Sequence, residues 1–176
     1  MKSHGTGLPP WDFCECGSGV VIEHGALVFH PETLCLGDDI YIGHYAIVKG
    51  YYNSRMTIGR GTWIGQHAFL HSAAGIVIGE DVGMGPGAKI LTSVHDLNRE
   101  THLAIMKRPL QFAAVEIGDG CDLGVNSVIL PGVQLGCRVQ VAAGAVVTTS
   151  FPDDTIVAGV PARGLAHQDS VAETRQ

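Results

Sequence analysis

The chain has 176 residues, 11 Lys+Arg against 17 Asp+Glu for a net charge of −6, and is 45% hydrophobic and 16% charged. That length carries one domain with a sizeable core, the hydrophobic content excludes a disordered chain, and the acidic balance argues against a general nucleic-acid binder, which needs a basic face against phosphates. The 24 glycines do not recur at every third position, which excludes collagen, and no apolar run reaches the roughly 18 residues of a membrane helix.

Residues 1–16 come first. Met1 to Phe13 is broken by Gly5, Gly7, Pro9 and Pro10 and has no apolar centre, so it does not read as a secretory leader. The segment is expected to be an irregular arm, and the protein cytoplasmic. In that compartment Cys14, Cys16, Cys35, Cys121 and Cys137 are expected as free thiols. Cys14 and Cys16 with His4 or His30 form only a weak metal pattern.

From residue 17 a six-residue period takes over. Aliphatic residues or methionine lead each unit at Ile22, Val28, Leu36, Ile42, Val48, Ile58, Ile64, Leu70, Ile78, Met84, Ile90, Ile117, Leu123, Ile129, Leu135, Val141 and Val147. At this hydrophobic content, chance agreement at all of them is about one in a million. Glycine often follows the leader, as at Gly37, Gly43, Gly59, Gly65, Gly118 and Gly124, and a small residue often sits four past it, as at Ala46, Ala68, Ala88 and Ser127. A period of six fits neither a helix nor a plain strand. It fits a short strand, a corner that glycine eases, and a small residue inside the corner. Three units close one triangular coil, and coils stack by strand hydrogen bonds about 4.8 Å apart.

The spacings test this. Grouped as (Leu36, Ile42, Val48), (Ile58, Ile64, Leu70), (Ile78, Met84, Ile90), (Ile117, Leu123, Ile129) and (Leu135, Val141, Val147), every insertion follows the third leader of a coil. The surplus therefore leaves from one edge of the prism. The largest surplus is the loop 91–116. A tight repeat that spends so long outside its coils is a functional candidate. His95 stands at the start of that loop. Spacing alone leaves it as a catalytic base or a surface histidine.

The units IGRGTW-IGQHAF and IGDGCD-LGVNSV-ILPGVQ-LGCRVQ-VAAGAV, with the ending IVAGVPARGL, resemble the hexapeptide-repeat acyltransferases over residues 17–165. KILTSVHD, the excursion, then VEIGDG and VILPGV are most similar to the galactoside, maltose and xenobiotic O-acetyltransferase branch. The resemblance implies an all-β fold: a left-handed parallel β-helix with one long inserted loop. It also implies acetyl transfer from acetyl-CoA to a small, sugar-like acceptor, a homotrimer with sites between subunits, and no metal. A polar tail over residues 166–176 would follow the prism.

The resemblance places the catalytic histidine at His95. An imidazole, with an ordinary pKa of about 6.5, suits removal of a proton from the acceptor hydroxyl. It would return that proton to the departing thiol. No serine or cysteine shows a nucleophile context, which favours direct transfer. Asp96 would orient the imidazole, bind acceptor or stand as a solvated carboxylate. The resemblance puts coenzyme A along Val125, Ala143 and Thr148, with Arg163 for phosphate; Ala143 and Gly144 would let its pantetheine arm lie close to the backbone, and Lys107 and Arg108 are further phosphate or acceptor candidates. The chain departs from the family pattern at Asp122, where a Trp is usual, at Thr149 and Ala166, where basic residues are usual, and at Gly87, where the sugar enzymes carry an acceptor-binding Asn.

Two other classes share the prism. A γ-carbonic-anhydrase-like protein would hold zinc on three converging histidines, with His24, His44 and His67 falling on one side. A non-catalytic assembly module would hold neither zinc nor acetyl-CoA.

Overall fold

The computed structural model describes residues 5–96 and 102–165. The chain coils around a central axis and lays one short strand on each of three faces per coil. The first face is a six-stranded sheet, the second eight-stranded and the third six-stranded. Within the coils the strands pair in parallel, and the leaders stand directly above one another. On the first face Cys16, Leu36, Ile58, Ile78, Ile117 and Leu135 are in register. Ile22, Ile42, Ile64, Met84, Leu123 and Val141 form the second column. Val28, Val48, Leu70, Ile90, Ile129 and Val147 form the third. The fold is the left-handed parallel β-helix that the resemblance implies.

These columns are the core. From Val28 to Val147 no leader is more than 3% exposed, and burying each such side chain stabilises by about 1.5–3 kcal/mol. Between them sit the small residues four past a leader, with Ala46, Thr62, Ala68, Ala88 and Ser127 fully buried.

Glycine's role at the corners differs from the expectation. The left-handed backbone falls three residues past the leader, at Asp39, Tyr45, His67, Asp81, Asn126 and Arg138 as well as at Gly61 and Gly144. The glycines directly after leaders have no positive φ. Their constraint is contact between coils. A Cβ on Gly65 would lie 2.6 Å from the Met84 carbonyl oxygen, and one on Gly124 would lie 2.6 Å from the Ala143 nitrogen. Stacked corners touch there, so only hydrogen fits.

The first strand is Glu15–Cys16, inside the segment read as an arm. Cys16 occupies a leader position without being aliphatic, so a search for aliphatic leaders starts one coil side late. At the other end Phe151 reaches the first face beside Leu135. Ile156–Gly159 then joins the second face and turns back into the antiparallel Ala162–Leu165. The tail 166–176 lies outside the described residues. Among the described residues no helix is long and apolar enough to cross a membrane.

Candidate active site

The insertions leave from the edge between the third and first faces, and two of them build a cleft. After Ile90 and Leu91 the chain departs the coil as a hairpin, Ser93–His95 pairing antiparallel with Leu110–Phe112. After Val48 and Lys49 a shorter excursion folds on itself, with a bridge between Tyr51 and Ser54. Tyr51, Asn53 and His71 from the coil and its shorter excursion, and Ser93, His95 and Phe112 from the hairpin, line a cavity of about 420 Å³.

His95 is half-buried, opposite Leu110 in the hairpin. The antiparallel ladder, rather than the coil, fixes its backbone. Its Nδ1 lies 3.4 Å from the Arg108 carbonyl oxygen. That oxygen can only accept, so Nδ1 donates and the lone pair is left on Nε2.

Thr92 roots the hairpin in the coil. It is fully buried. Its hydroxyl donates to the His71 carbonyl at 2.6 Å and accepts from the Ala74 N–H at 3.0 Å. Its own carbonyl accepts from the Ala113 N–H at 3.1 Å. Also lining the cavity, the Tyr51 hydroxyl and His71 Nε2 share a hydrogen bond of 2.7 Å, and the Lys49 ammonium lies 5.1 Å from the Tyr51 ring centre. Tyr51, Asn53 and His71 carry no motif. The available signal is positional: both excursions leave one edge, and His71 pairs with Leu91 in the neighbouring coil.

The Asp96 carboxylate accepts from Gln111 Nε2 at 3.2 Å, and its N–H donates to the Pro109 carbonyl at 2.9 Å. Arg108 donates through Nε to the Leu103 carbonyl at 3.1 Å and through Nη1 to the Asp96 carbonyl at 3.4 Å. Lys107 ends a short 3₁₀ turn, Ile105–Lys107. These groups shape the loop.

Val125, Ala143 and Gly144 meet at the corner between the second and third faces, where the Gly144 N–H donates to the Val125 carbonyl at 2.8 Å. All three are exposed. Thr148 follows Val147 and stands exposed on the opposite edge of the third face, the edge the hairpin leaves. Arg163 lies on the last strand opposite Ala158 and donates to the Ala162 carbonyl at 2.9 Å. Within one chain Val125, Ala143 and Gly144 therefore border one edge of the third face and Thr148 the other, Arg163 lies on the second-face sheet, and they do not form one pocket. Asp122 is exposed at the start of its strand, and Gly87 occupies a left-handed corner with φ of 71°.

His24 and His44 stand above one another, with His44 Nδ1 3.1 Å from the His24 carbonyl oxygen, and His67 stacks on Tyr45 with ring centres 5.4 Å apart. Among the described residues, the one group of three metal-ligating side chains with donor atoms within 4.8 Å of one another is Cys14, Glu15 and Cys35. His4, the other histidine of the weak metal pattern, lies outside the described residues.

Residues 114–149 match a family model described as the hexapeptide repeat of succinyl-transferase. The acetyltransferase-named protein YJL218W of Saccharomyces cerevisiae is 32% identical over 123 residues, 68% of this chain and 61% of that one. A point mutant of AntD, an N-acyltransferase from Bacillus cereus solved with dTDP and coenzyme A, superposes with a TM-score of 0.79 at 22% identity, over 88% of this chain and 84% of that one. That likeness is one of fold. The hexapeptide-repeat-containing acetyltransferase VCA0836 of Vibrio cholerae superposes at 0.65 with 26% identity, over 88% and 74%. The chain spans between 31% and 61% of the length of three curated relatives that it matches.

Proposed function

Because the chain belongs to the hexapeptide-repeat acyltransferase superfamily, we propose that it moves an acetyl group from acetyl-CoA to a hydroxyl or amine of a small, sugar-like acceptor. One observation carries this reading: His95 is presented to a cleft with Nδ1 turned to a backbone carbonyl, so that Nε2 is the basic atom. In the reaction Nε2 takes the acceptor proton as its oxygen or nitrogen attacks the thioester carbonyl. The protonated ring then returns that proton to the departing thiolate. Direct transfer needs no acyl-enzyme. Asp96, through Gln111, helps hold the two hairpin strands together beside the base, or meets the acceptor.

The donor would lie along Val125, Ala143 and Gly144, where side chains are small and a Cβ on Gly144 would meet nothing within 4 Å. Thr148 would border its path toward the hairpin edge, and Arg163 would take a phosphate. Because these residues do not form one pocket within one chain, a complete donor groove requires a neighbouring copy, and a homotrimer supplies one. The Bacillus N-acyltransferase that shares this fold was solved with coenzyme A and dTDP, and small-molecule substrates of this kind fit that precedent. The proposed compartment is the cytoplasm.

The test is a thiol-release screen of acetyl-CoA against sugars, amino sugars and aminoglycoside-like amines. Acceptor-dependent release that His95→Ala abolishes is the expected result. Absence of both acetyl-CoA binding and thiol release would overturn the reading.

A further inference from the structure

Away from the cleft wall, the N-terminal strand brings two sulfurs together. Glu15 pairs with Cys35 on the first face, and Cys14 directly precedes that strand, diagonal to Cys35. Cys14 is exposed, and Cys35 is 5% exposed. Arg55 reaches both: Nη2 donates to Cys14 Sγ at 2.9 Å and Nε donates to Cys35 Sγ at 3.0 Å. Glu15 lies at the margin, 3.9 Å from Nη2. The one guanidinium thus holds the two sulfurs side by side and sets a positive charge against whichever of them attacks.

We propose that Cys14 and Cys35, bridged by Arg55, are a reversible disulfide site, with Cys14 as the sulfur that meets the oxidant. The oxidant is a low-molecular-weight disulfide. The Cys14 thiolate attacks one of its sulfurs, forms a mixed disulfide and expels one small thiolate. The Cys35 thiolate then attacks Cys14 Sγ, forms the internal disulfide and expels the second small thiolate. Two protein thiols have lost two protons and two electrons, and the small disulfide has become two thiols. The sulfurs lie within 4.8 Å of each other, and rotation of the exposed Cys14 side chain is the motion proposed to bring them to a bond of about 2.05 Å. Burial pushes the Cys35 thiol up, so the exposed Cys14, rather than Cys35, is the sulfur that meets the small disulfide first. A divalent metal on the same atoms is disfavoured, because the cationic guanidinium already stands against both sulfurs.

The experiment treats the full chain with oxidised glutathione and maps its peptides by mass. Wild type is expected to lose two hydrogens and yield one Cys14–Cys35 cross-link, reversed by dithiothreitol. Cys35→Ser is expected to trap one glutathione on Cys14, and Cys14→Ser to give neither product. Arg55→Met is expected to react about ten-fold more slowly at Cys14, with unchanged alkylation of Cys137 as the internal control for folding. The proposal is overturned if wild type forms no internal cross-link, if the adduct settles on another cysteine, if Arg55→Met reacts as fast as wild type, or if the chain binds one zinc that Cys14→Ser and Cys35→Ser both lose.

Discussion

Thr92→Val removes one hydroxyl and nearly nothing else, because valine has almost the same shape. The loss orphans two backbone groups, the His71 carbonyl and the Ala74 N–H. Each costs about 1–3 kcal/mol when buried without a partner. His71 and Ala74 are half-buried, so the lower end applies and the expected total is about 2–3 kcal/mol. For a chain of this size that lowers Tm by about 4–12 °C. The same root positions Ser93 and His95, so turnover should fall more than acceptor affinity. Thr92→Ser keeps both hydrogen bonds and should stay within about 1 kcal/mol of wild type. Urea denaturation and thermal melting of the three proteins give the answer. A valine variant as stable as wild type, or a serine variant as damaged as valine, would refute the role assigned to this hydroxyl.

His95→Ala is expected to lose at least about 100-fold in turnover while calorimetry shows acetyl-CoA affinity retained. Unchanged turnover would remove His95 from the chemistry. Gly65→Ala sets a Cβ against the backbone of the next coil and should destabilise by about 1–3 kcal/mol, read by denaturant midpoint. Asp38 accepts from the Ser18 N–H at 2.7 Å and hydroxyl at 3.0 Å, which holds its carboxyl below its ordinary value. A carboxyl depressed in the folded state adds stability above its unfolded value of about 3.9, and this is lost as pH falls through the folded value. Wild type should therefore lose more stability than Asp38→Asn on acidification from about pH 5 to pH 3. Parallel curves would contradict this.

The columns are legible in the sequence because a strand of two or three residues leaves one inward position per side, and that position must be apolar. Ile58, Ile78 and Ile117 can thus be aligned across a gap of any length. The common exit edge is legible for the same reason. The hairpin is not: Ser93–His95 and Leu110–Phe112 are too short to show a period, and their pairing spans the excursion. His95 stands out, but its partner does not, because a backbone carbonyl such as that of Arg108 carries no sequence signal. Tyr51 and His71 escape notice because their meeting depends on coil stacking. The pairing of Cys14 with Cys35 is hidden for the same reason: they are one coil apart in space, whereas the chain sets Cys14 beside Cys16. The corner backbone is misplaced because glycine marks close approach as well as positive φ, and here Gly65 does the first while Tyr45 and His67 bear the second.

Under the proposed reaction, the ridge from which the three-sided column sends its excess chain also presents His95 to a thioester. A crystal structure with coenzyme A and an acceptor tests this most directly. The expected result is the acceptor hydroxyl or amine within about 3 Å of His95 Nε2, with the coenzyme thiol beside it in the cleft shared with Tyr51 and Phe112. A coenzyme bound elsewhere, with Nε2 facing neither ligand, would contradict the account.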